Sequence, residues 1–393
     1  MIKLIFWILI FLIAYTYMGY AVLLFFLNGI KSLFYWKRSG NEISRPLPEV
    51  TLLIAAYNEI KIVQDKVQNT RELDYPKNKL KVVWITDGSN DGTPEFLKQY
   101  DEIKVLHKPE RKGKTAALNR AMETINTPFV IFSDANTMLD PKVISYLIAP
   151  FSDKKVGCVA GEKRIVKNVF EIAAGAGEGA YWKYESVVKK LESDFSTTLS
   201  AAGELYAFRS ELYQPVDPDI IIDDFVISYN IARQGYLIKY EPKAFAVENS
   251  SANIHEELKR KIRIASGAMQ TMLRYSSLFN IFRHGFLSFE FLSHKVLRWI
   301  VVPIAIPLII ILNLVLCFQG NWQIPVYVVI LLLQVVFYFF VLLGLFFEKK
   351  ATRWKVIFFP YYLITINYAQ YAGIIKFFRG KHNVVWEKAI RAS

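Results

Sequence analysis

The chain has only two cysteines in 393 residues, Cys158 and Cys317, far apart, so neither a disulfide framework nor a cysteine metal cluster is expected. His255 and His284 have no partners at metal-ligand spacing and read as structural or surface residues. No Walker-type loop is present, and no G-x-G-x-x-G follows the first expected strand, which removes two familiar phosphate cradles. The net charge is +13, yet no basic stripe interleaved with stacking aromatics appears, which argues against a nucleic-acid partner. Many of these charges flank apolar runs, where anionic lipid head groups and an anionic substrate account for them. No internal repeat or low-complexity stretch interrupts the chain, and no small-x-small site follows the first apolar run, so that run does not read as a cleaved signal.

What the chain has in quantity is apolar sequence, 53% of its residues, unevenly spread. Residues 4–29 carry no charge and are long enough to cross a hydrocarbon core of about 30 Å as a helix. Trp299–Cys317 and Pro325–Phe347 read as two more spans, and Val356–Ile375 as a weaker fourth, with Pro360, Asn367 and Gln370 inside it. The expected division is an N-terminal transmembrane helix (1–38), a globular domain (39–275), an interfacial helix (276–294) and C-terminal transmembrane helices with a basic tail (295–393). Lys31, Lys37 and Arg38, with Lys295 and Arg298, place the globular block in the cytoplasm by the positive-inside rule. A basic tail after three further crossings would face outward, so either the fourth stretch is interfacial or re-entrant, or the tail lies outside.

Within the globular block, apolar runs end repeatedly in acids or amides. Phe129–Ser133 runs into Asp134-Ala135-Asn136, the reading of a strand buried on both faces. Ligands of parallel α/β sheets bind at such strand ends. A carboxylate with a nearby side-chain carbonyl suits Mg²⁺ or Mn²⁺ shared with a diphosphate; alternatively, Asp134 and Asn136 cap a helix near Pro141. Val50–Ala56 leads to Tyr57-Asn58-Glu59, and Val82–Ile85 to Thr86-Asp87-Gly88-Ser89-Asn90-Asp91-Gly92, a loop whose backbone amides stand open to a ligand. Arg111-Lys112-Gly113-Lys114 supplies cations for phosphate or is a solvated turn. Val156–Ala160 and Arg164–Val166 read as edge strands. Ala201–Arg209 is a close backbone approach to a ligand or a turn entering a strand. Ile220–Ile222 delivers Asp223 and Asp224, one as helix cap and one as base. Strands alternating with helices imply a mostly parallel, doubly wound sheet.

Taken together, Ala55-Ala56-Tyr57-Asn58-Glu59, Asp87–Thr93, Lys112-Gly113-Lys114, Asp134-Ala135-Asn136, Gly203-Glu204-Leu205-Tyr206 and Asp223-Asp224 resemble the motifs of membrane-integrated family 2 glycosyltransferases, the superfamily of cellulose, hyaluronan and poly-N-acetylglucosamine synthases. The resemblance covers about 50–275. It implies an α/β, nucleotide-sugar-binding GT-A (Rossmann-like) domain set between transmembrane α-helices, in a bacterial inner membrane, using a UDP-sugar donor and Mg²⁺ or Mn²⁺. By that resemblance Ala55, Tyr57, Glu59, Asp87, Lys112, Lys114, Asp134 and Arg263 bind the nucleotide, and Asp134 and Asn136 the metal. Gly203, Glu204 and Tyr206 meet the acceptor, and Asp224, beside Asp223, is the general base. The implied reaction is inverting transfer to a growing polysaccharide coupled to export, or a single transfer to a lipid-linked acceptor. The implied partners include membrane lipids and a second copy or partner subunit completing a channel. Two departures stand out: Asn136 replaces the second acid of an Asp-x-Asp motif, and the Gln-x-x-Arg-Trp motif is absent, with Arg260-Lys261-Ile262-Arg263 in its place. Asn313, Gln334, Asn367 and Gln370 are candidates for a polar product path.

Overall fold

A computed structural model describes residues 1–34, 46–165, 173–249, 251, 253–347 and 355–380. The chain opens with α1 (Ile2–Ala14) and α2 (Tyr20–Phe34), joined through a π-helical turn into one helix, Ile2–Phe34. At 1.5 Å per residue it is about 50 Å long, more than a hydrocarbon core requires. The excess is used for docking. Phe6 packs with Ile309 and Tyr327 of later apolar helices, whereas Tyr20 and Leu24 pack on Val188 of the globular domain.

The next elements follow the expected alternation: β1 (Val50–Ala56), α3 (Ile60–Arg71), β2 (Leu80–Asp87), α4 (Thr93–Leu97), β3 (Ile103–Lys108), α5 (Lys114–Met122) and β4 (Phe129–Asp134). Then come β5 (Met138–Leu139), α6 (Val143–Ile148), β6 (Val156–Ile165), α7 (Ala173–Phe195), β7 (Leu205–Arg209), α8 (Asp223–Arg233), β8 (Leu237–Glu248) and α9 (Ile254–Arg274). One sheet of eight strands holds them, in the order β3-β2-β1-β4-β7-β6-β8-β5. Only the first four strands form the parallel half that was expected; β7 runs antiparallel to both β4 and β6. The sheet is therefore mixed. The segments expected as edge strands form, as far as Ile165, one continuous strand, β6, lying between β7 and β8, and Val166 lies outside the described residues.

Every residue of β1 is buried, as the central strand of a sheet covered on both faces must be. Its alternate side chains feed two cores: Leu53 and Ala55 on one face, Leu52 and Ile54 on the other. The parallel register sets Ala56 opposite Thr86 and Ala55 opposite Asp134, so Asp87 and Asp134 end at the same edge of the sheet.

The remaining helices are α10 (Ile281–His284), α11 (Phe286–Glu290), α12 (Val302–Gln319), α13 (Pro325–Phe346) and α14 (Lys355–Phe378). Helix α11 continues through a π-helical stretch, Phe291–Val301, into α12, giving one helix Phe286–Gln319. The stretch expected as an interfacial helix is thus broken at Gly285, and its second part begins a span. Among the described residues three helices are long and apolar enough to cross a membrane: Ile2–Phe34, Phe286–Gln319 and Pro325–Phe346. The weaker fourth stretch, α14, lies along α9: Tyr361 and Tyr362 pack with Ile254, and Gly373 meets Ala265 and Ser266.

Lys295 and Arg298, expected as flanking charges, are buried against α7. Glu185 accepts hydrogen bonds from Lys295 Nζ at 2.8 Å and Arg298 Nη1 at 2.6 Å, and Glu192 accepts from Tyr20 Oη at 2.9 Å. His294 sits between the two carboxylates. Unpaired charges on an apolar helix are costly, and pairing with α7 offsets that cost while locking the helix to the globular domain.

A Cβ on Gly373 would come within 2.8 Å of the Ile262 carbonyl oxygen and 2.9 Å of the Ser266 nitrogen. Gly373→Leu is expected to destabilise the protein by about 1–3 kcal/mol through overpacking. The check is thermal unfolding of the detergent-solubilised protein; an unchanged midpoint would contradict the α9–α14 packing.

Candidate active site

The loops at this sheet edge are fastened to one another. Asn58 adopts a left-handed φ of 54°, which asparagine tolerates better than most residues. Its backbone N–H donates to Ser89 Oγ at 3.1 Å, and its Oδ1 accepts from the Asn90 N–H at 2.9 Å. Asp91 accepts from the N–H groups of Ile60 and Thr93 and from the Thr93 hydroxyl. Several amides expected to face a ligand are therefore spent inside the loop.

Asp87 Oδ2 accepts the N–H groups of Lys112 at 2.9 Å and Gly113 at 2.6 Å. The acid shapes the basic loop through its backbone, leaving the Lys112 side chain exposed in solvent. A narrow slot follows between Ala55, Tyr57, Asp87, Arg111 and Lys114. The Arg111 guanidinium lies 3.7 Å from the Tyr57 ring centroid, closing the slot with a cation–π contact. Of the residues expected to bind nucleotide, Ala55, Tyr57, Asp87 and Lys114 line this slot. Lys112 does not.

A second cleft, about 630 Å³, opens beside it and gathers Glu59, Lys114, Asp134, Asn136, Asp223 and Asp224. Gly203, Glu204 and Arg263 line it as well, so the strand end, the turn before β7, and helices α8 and α9 converge. Tyr206 does not reach it. The ring is buried against Phe132, edge-to-face at 5.2 Å, and serves the core instead of an acceptor site.

Lys114 Nζ donates to Asp134 Oδ1 at 2.7 Å. Burial works against its charge, but Asp134, with Asp223 and Asp224, raises its pKa above the ordinary lysine value. Asp134 is no helix cap: α6 begins after Lys142, and the turn following Asp134 is held from behind by Lys66. The Lys66 ammonium donates to Ser133 Oγ at 3.0 Å and the Thr137 carbonyl at 2.5 Å, and its burial lowers its pKa to about 7.

Neither Asp223 nor Asp224 caps α8. Ile222 occupies the cap position without a side-chain bond, and both acids lie in the first turn, which corrects the division into one cap and one base. The helix N-terminus favours carboxylates by roughly 0.3–1 kcal/mol. Here burial dominates, and Asp223 and Glu204 add like charge, so Asp224 is pushed up to about 6. Gly203 is needed for proximity, since a Cβ there would stand 3.3 Å from Asp224 Oδ2.

Three residues that matter here were not foreseen. Lys163, on β6, bonds Glu204 at 2.7 Å, and despite the opposing effect of burial it holds that carboxyl well below the usual range. Glu248 ends β8 and accepts from Asn136 Nδ2 at 2.8 Å; an acid ending an apolar strand is the same signal that marked Asp134. Trp299, from the span Phe286–Gln319, lines the far end of the cleft with Lys295 and Gln370.

Among the described residues no group of three or more His, Cys, Asp or Glu side chains is arranged to hold a metal. Asp134 and the Asn136 amide oxygen are nonetheless hard oxygen donors at one rim, and they fit Mg²⁺ or Mn²⁺ if substrate phosphates and water complete the shell.

Residues 48–267 match the family model described as "Glycosyltransferase like family 2". Poly-beta-1,6-N-acetyl-D-glucosamine synthase of Staphylococcus aureus (strain COL) is 28% identical over 235 residues, 58% of this chain and 56% of that protein. The corresponding synthase of Staphylococcus epidermidis is 28% identical over 232 residues, 57% of this chain and 56% of that protein. The chain thus matches little more than half the length of these relatives. A solved mannosyltransferase from Pyrobaculum calidifontis, in complex with GDP-Man and Mn²⁺, superposes with a TM-score of 0.63 at 22% identity, covering 92% of this chain and 98% of its own. At that identity the likeness establishes the GT-A-like fold.

Because Lys114 supplies a half-buried ammonium at the junction of slot and cleft, Lys114→Met is expected to weaken binding of uridine diphosphate about 10- to 100-fold, the value of a charge-assisted hydrogen bond. Titration calorimetry checks this, and an affinity within twofold of the parent would remove Lys114 from the diphosphate site.

Proposed function

The chain belongs to glycosyltransferase family 2, and on that premise we propose that it transfers a sugar, with inversion, from a UDP-sugar to a growing polysaccharide at the membrane, coupled to export. The observation that carries the reading is Asp224, a carboxylate raised to about 6 at the floor of a cleft that also holds Lys114, Asp134 and Arg263.

The slot by Tyr57 and Asp87 takes the nucleoside, and Lys114 and Arg263 neutralise the diphosphate. Asp224 accepts the proton of an acceptor hydroxyl as that oxygen attacks the anomeric carbon. The bond from that carbon to the phosphate oxygen breaks, and its electron pair leaves on the nucleoside diphosphate. A divalent cation held by Asp134 and Asn136 would supply charge stabilisation for the departing diphosphate. The catalytic domain is cytoplasmic in this reading, where nucleotide sugars are made.

A lipid-linked acceptor is the second reading, and two observations favour it. The cleft extends to Lys295, Trp299 and Gln370, at the foot of the membrane helices. Three of the four polar side chains expected along a product path are bonded between helices instead: Asn313 Nδ2 donates to Gln334 Oε1 at 3.0 Å, and Asn367 Nδ2 to Tyr17 Oη at 3.1 Å. A polymer path in this chain therefore needs a second copy or a partner subunit.

Product sizing separates the two. Purified protein is given Mn²⁺ or Mg²⁺ and a panel of radiolabelled UDP-sugars with GDP-mannose as a control donor. A large, glycosidase-sensitive product is expected; one labelled lipid species would establish the second reading, and no product from any donor would refute the proposed activity.

Two outcomes test the base. With Asp224 raised to about 6, activity is full above that pH and falls tenfold per unit below it, so the acid limb of kcat/KM is expected near pH 6 instead of near 4. Asp224→Asn is expected to lose about 10²- to 10⁴-fold in kcat while keeping uridine diphosphate affinity. Its unfolding midpoint should not drop, because the amide removes a buried charge. Full turnover in that variant would end the assignment.

A further inference from the structure

The amide at 136 departs from the family's acid, and its surroundings give a reason. Asn136 Nδ2 donates to Glu248 Oε1 at 2.8 Å. Glu248 is buried at the end of β8 and pairs through its other oxygen with Lys163, whose side chain has no solvent exposure. Lys163 in turn bonds Glu204 Oε1 at 2.7 Å, and Glu204 follows Gly203, the residue that abuts Asp224. Backbone pairing brings these groups together: β5, two residues beyond Asn136, pairs Met138 with Val247, and β6 pairs Lys163 with Ala246.

The electrostatics of this row are specific. Lys163 lies between the buried Glu248 and the part-buried Glu204, and a carboxylate at 136 would face Glu248 at hydrogen-bond distance with no proton between them. Glu248 also orients the amide, since the flipped form would set its oxygen against a carboxylate oxygen. The amide nitrogen is thereby the atom turned to Glu248, and Asn136 and Asp134 line the same cleft.

We propose that Asn136 is a positioning residue, demanded by Glu248, in a relay Asn136–Glu248–Lys163–Glu204 that ties the strand end bearing Asp134 to the turn that backs Asp224. The relay holds donor-side and acceptor-side groups at fixed separation. It rests on the proposed transferase reading for its catalytic consequence, though not for its existence in the fold.

The test is a swap in the purified full-length protein: Asn136→Asp, Glu248→Gln and both together. Each single variant is expected to lose at least tenfold in kcat, with the donor that the panel identifies. The first sets two carboxylates face to face, and the second sets two amides with one buried ammonium half neutralised. In the double variant the amide introduced at 248 donates to the carboxylate introduced at 136, and kcat is expected to return to within threefold of the parent. Losses that multiply in the double variant would overturn the relay. Asn136→Asp with equal or higher turnover would overturn it too, and would make position 136 merely a weakened metal ligand. If the parent protein transfers no sugar from any donor, the transferase reading fails by itself. The relay is then read from thermal unfolding, where both single variants lower the midpoint and the double restores it; a midpoint that falls further in the double overturns the relay.

Discussion

The site depends on one half-buried ammonium. Lys114 opens α5 where β1, β2 and β4 end, and it bonds Asp134 while Asp223 and Asp224 reinforce its charge. Without that cation three carboxylates from two parts of the chain would face one another in a partly dehydrated cleft. With it, the three can share one cleft. The arrangement stores repulsion at Asp224, the kind of local cost that active sites carry and the surrounding fold must offset.

The surrounding fold does so through two further polar clusters in which basic side chains are set between acids. Lys163 serves Glu204 and Glu248 beneath the cleft. At the membrane junction His294, Lys295 and Arg298 face Glu185 and Glu192 on α7. The second cluster places the catalytic domain against the apolar helices, and Lys295 and Glu185 also line the cleft. The apolar helices therefore form one wall of the cleft.

Much of this was legible residue by residue. Apolar runs ending in Asp87, Asp134 and Asp223 announced strand or helix starts at a ligand edge, because a buried strand admits charge only at its end. The packing of the fourth apolar stretch was not legible, because length and composition do not reveal that Gly373 and two tyrosines give α14 a face matched to α9. Tyr206 misled because strand alternation turned it inward, onto Phe132. Lys163 carried no signal of its own: inside the charged run Glu162-Lys163-Arg164 it looks like a surface residue until its two partners are in place.

Sequence alone determined the division into apolar helices and an inserted α/β domain, and the identity of most chemistry-bearing side chains. Hydropathy and strand-end residues act locally, over lengths a reader can scan. Tertiary structure decided which acids share a cation, which amide faces a carboxylate, and which apolar helix packs on the domain instead of crossing alone. Those are properties of pairs separated by forty to more than a hundred residues, such as Lys163 with Glu204 and Asn136 with Glu248, and only the sheet order brings them together.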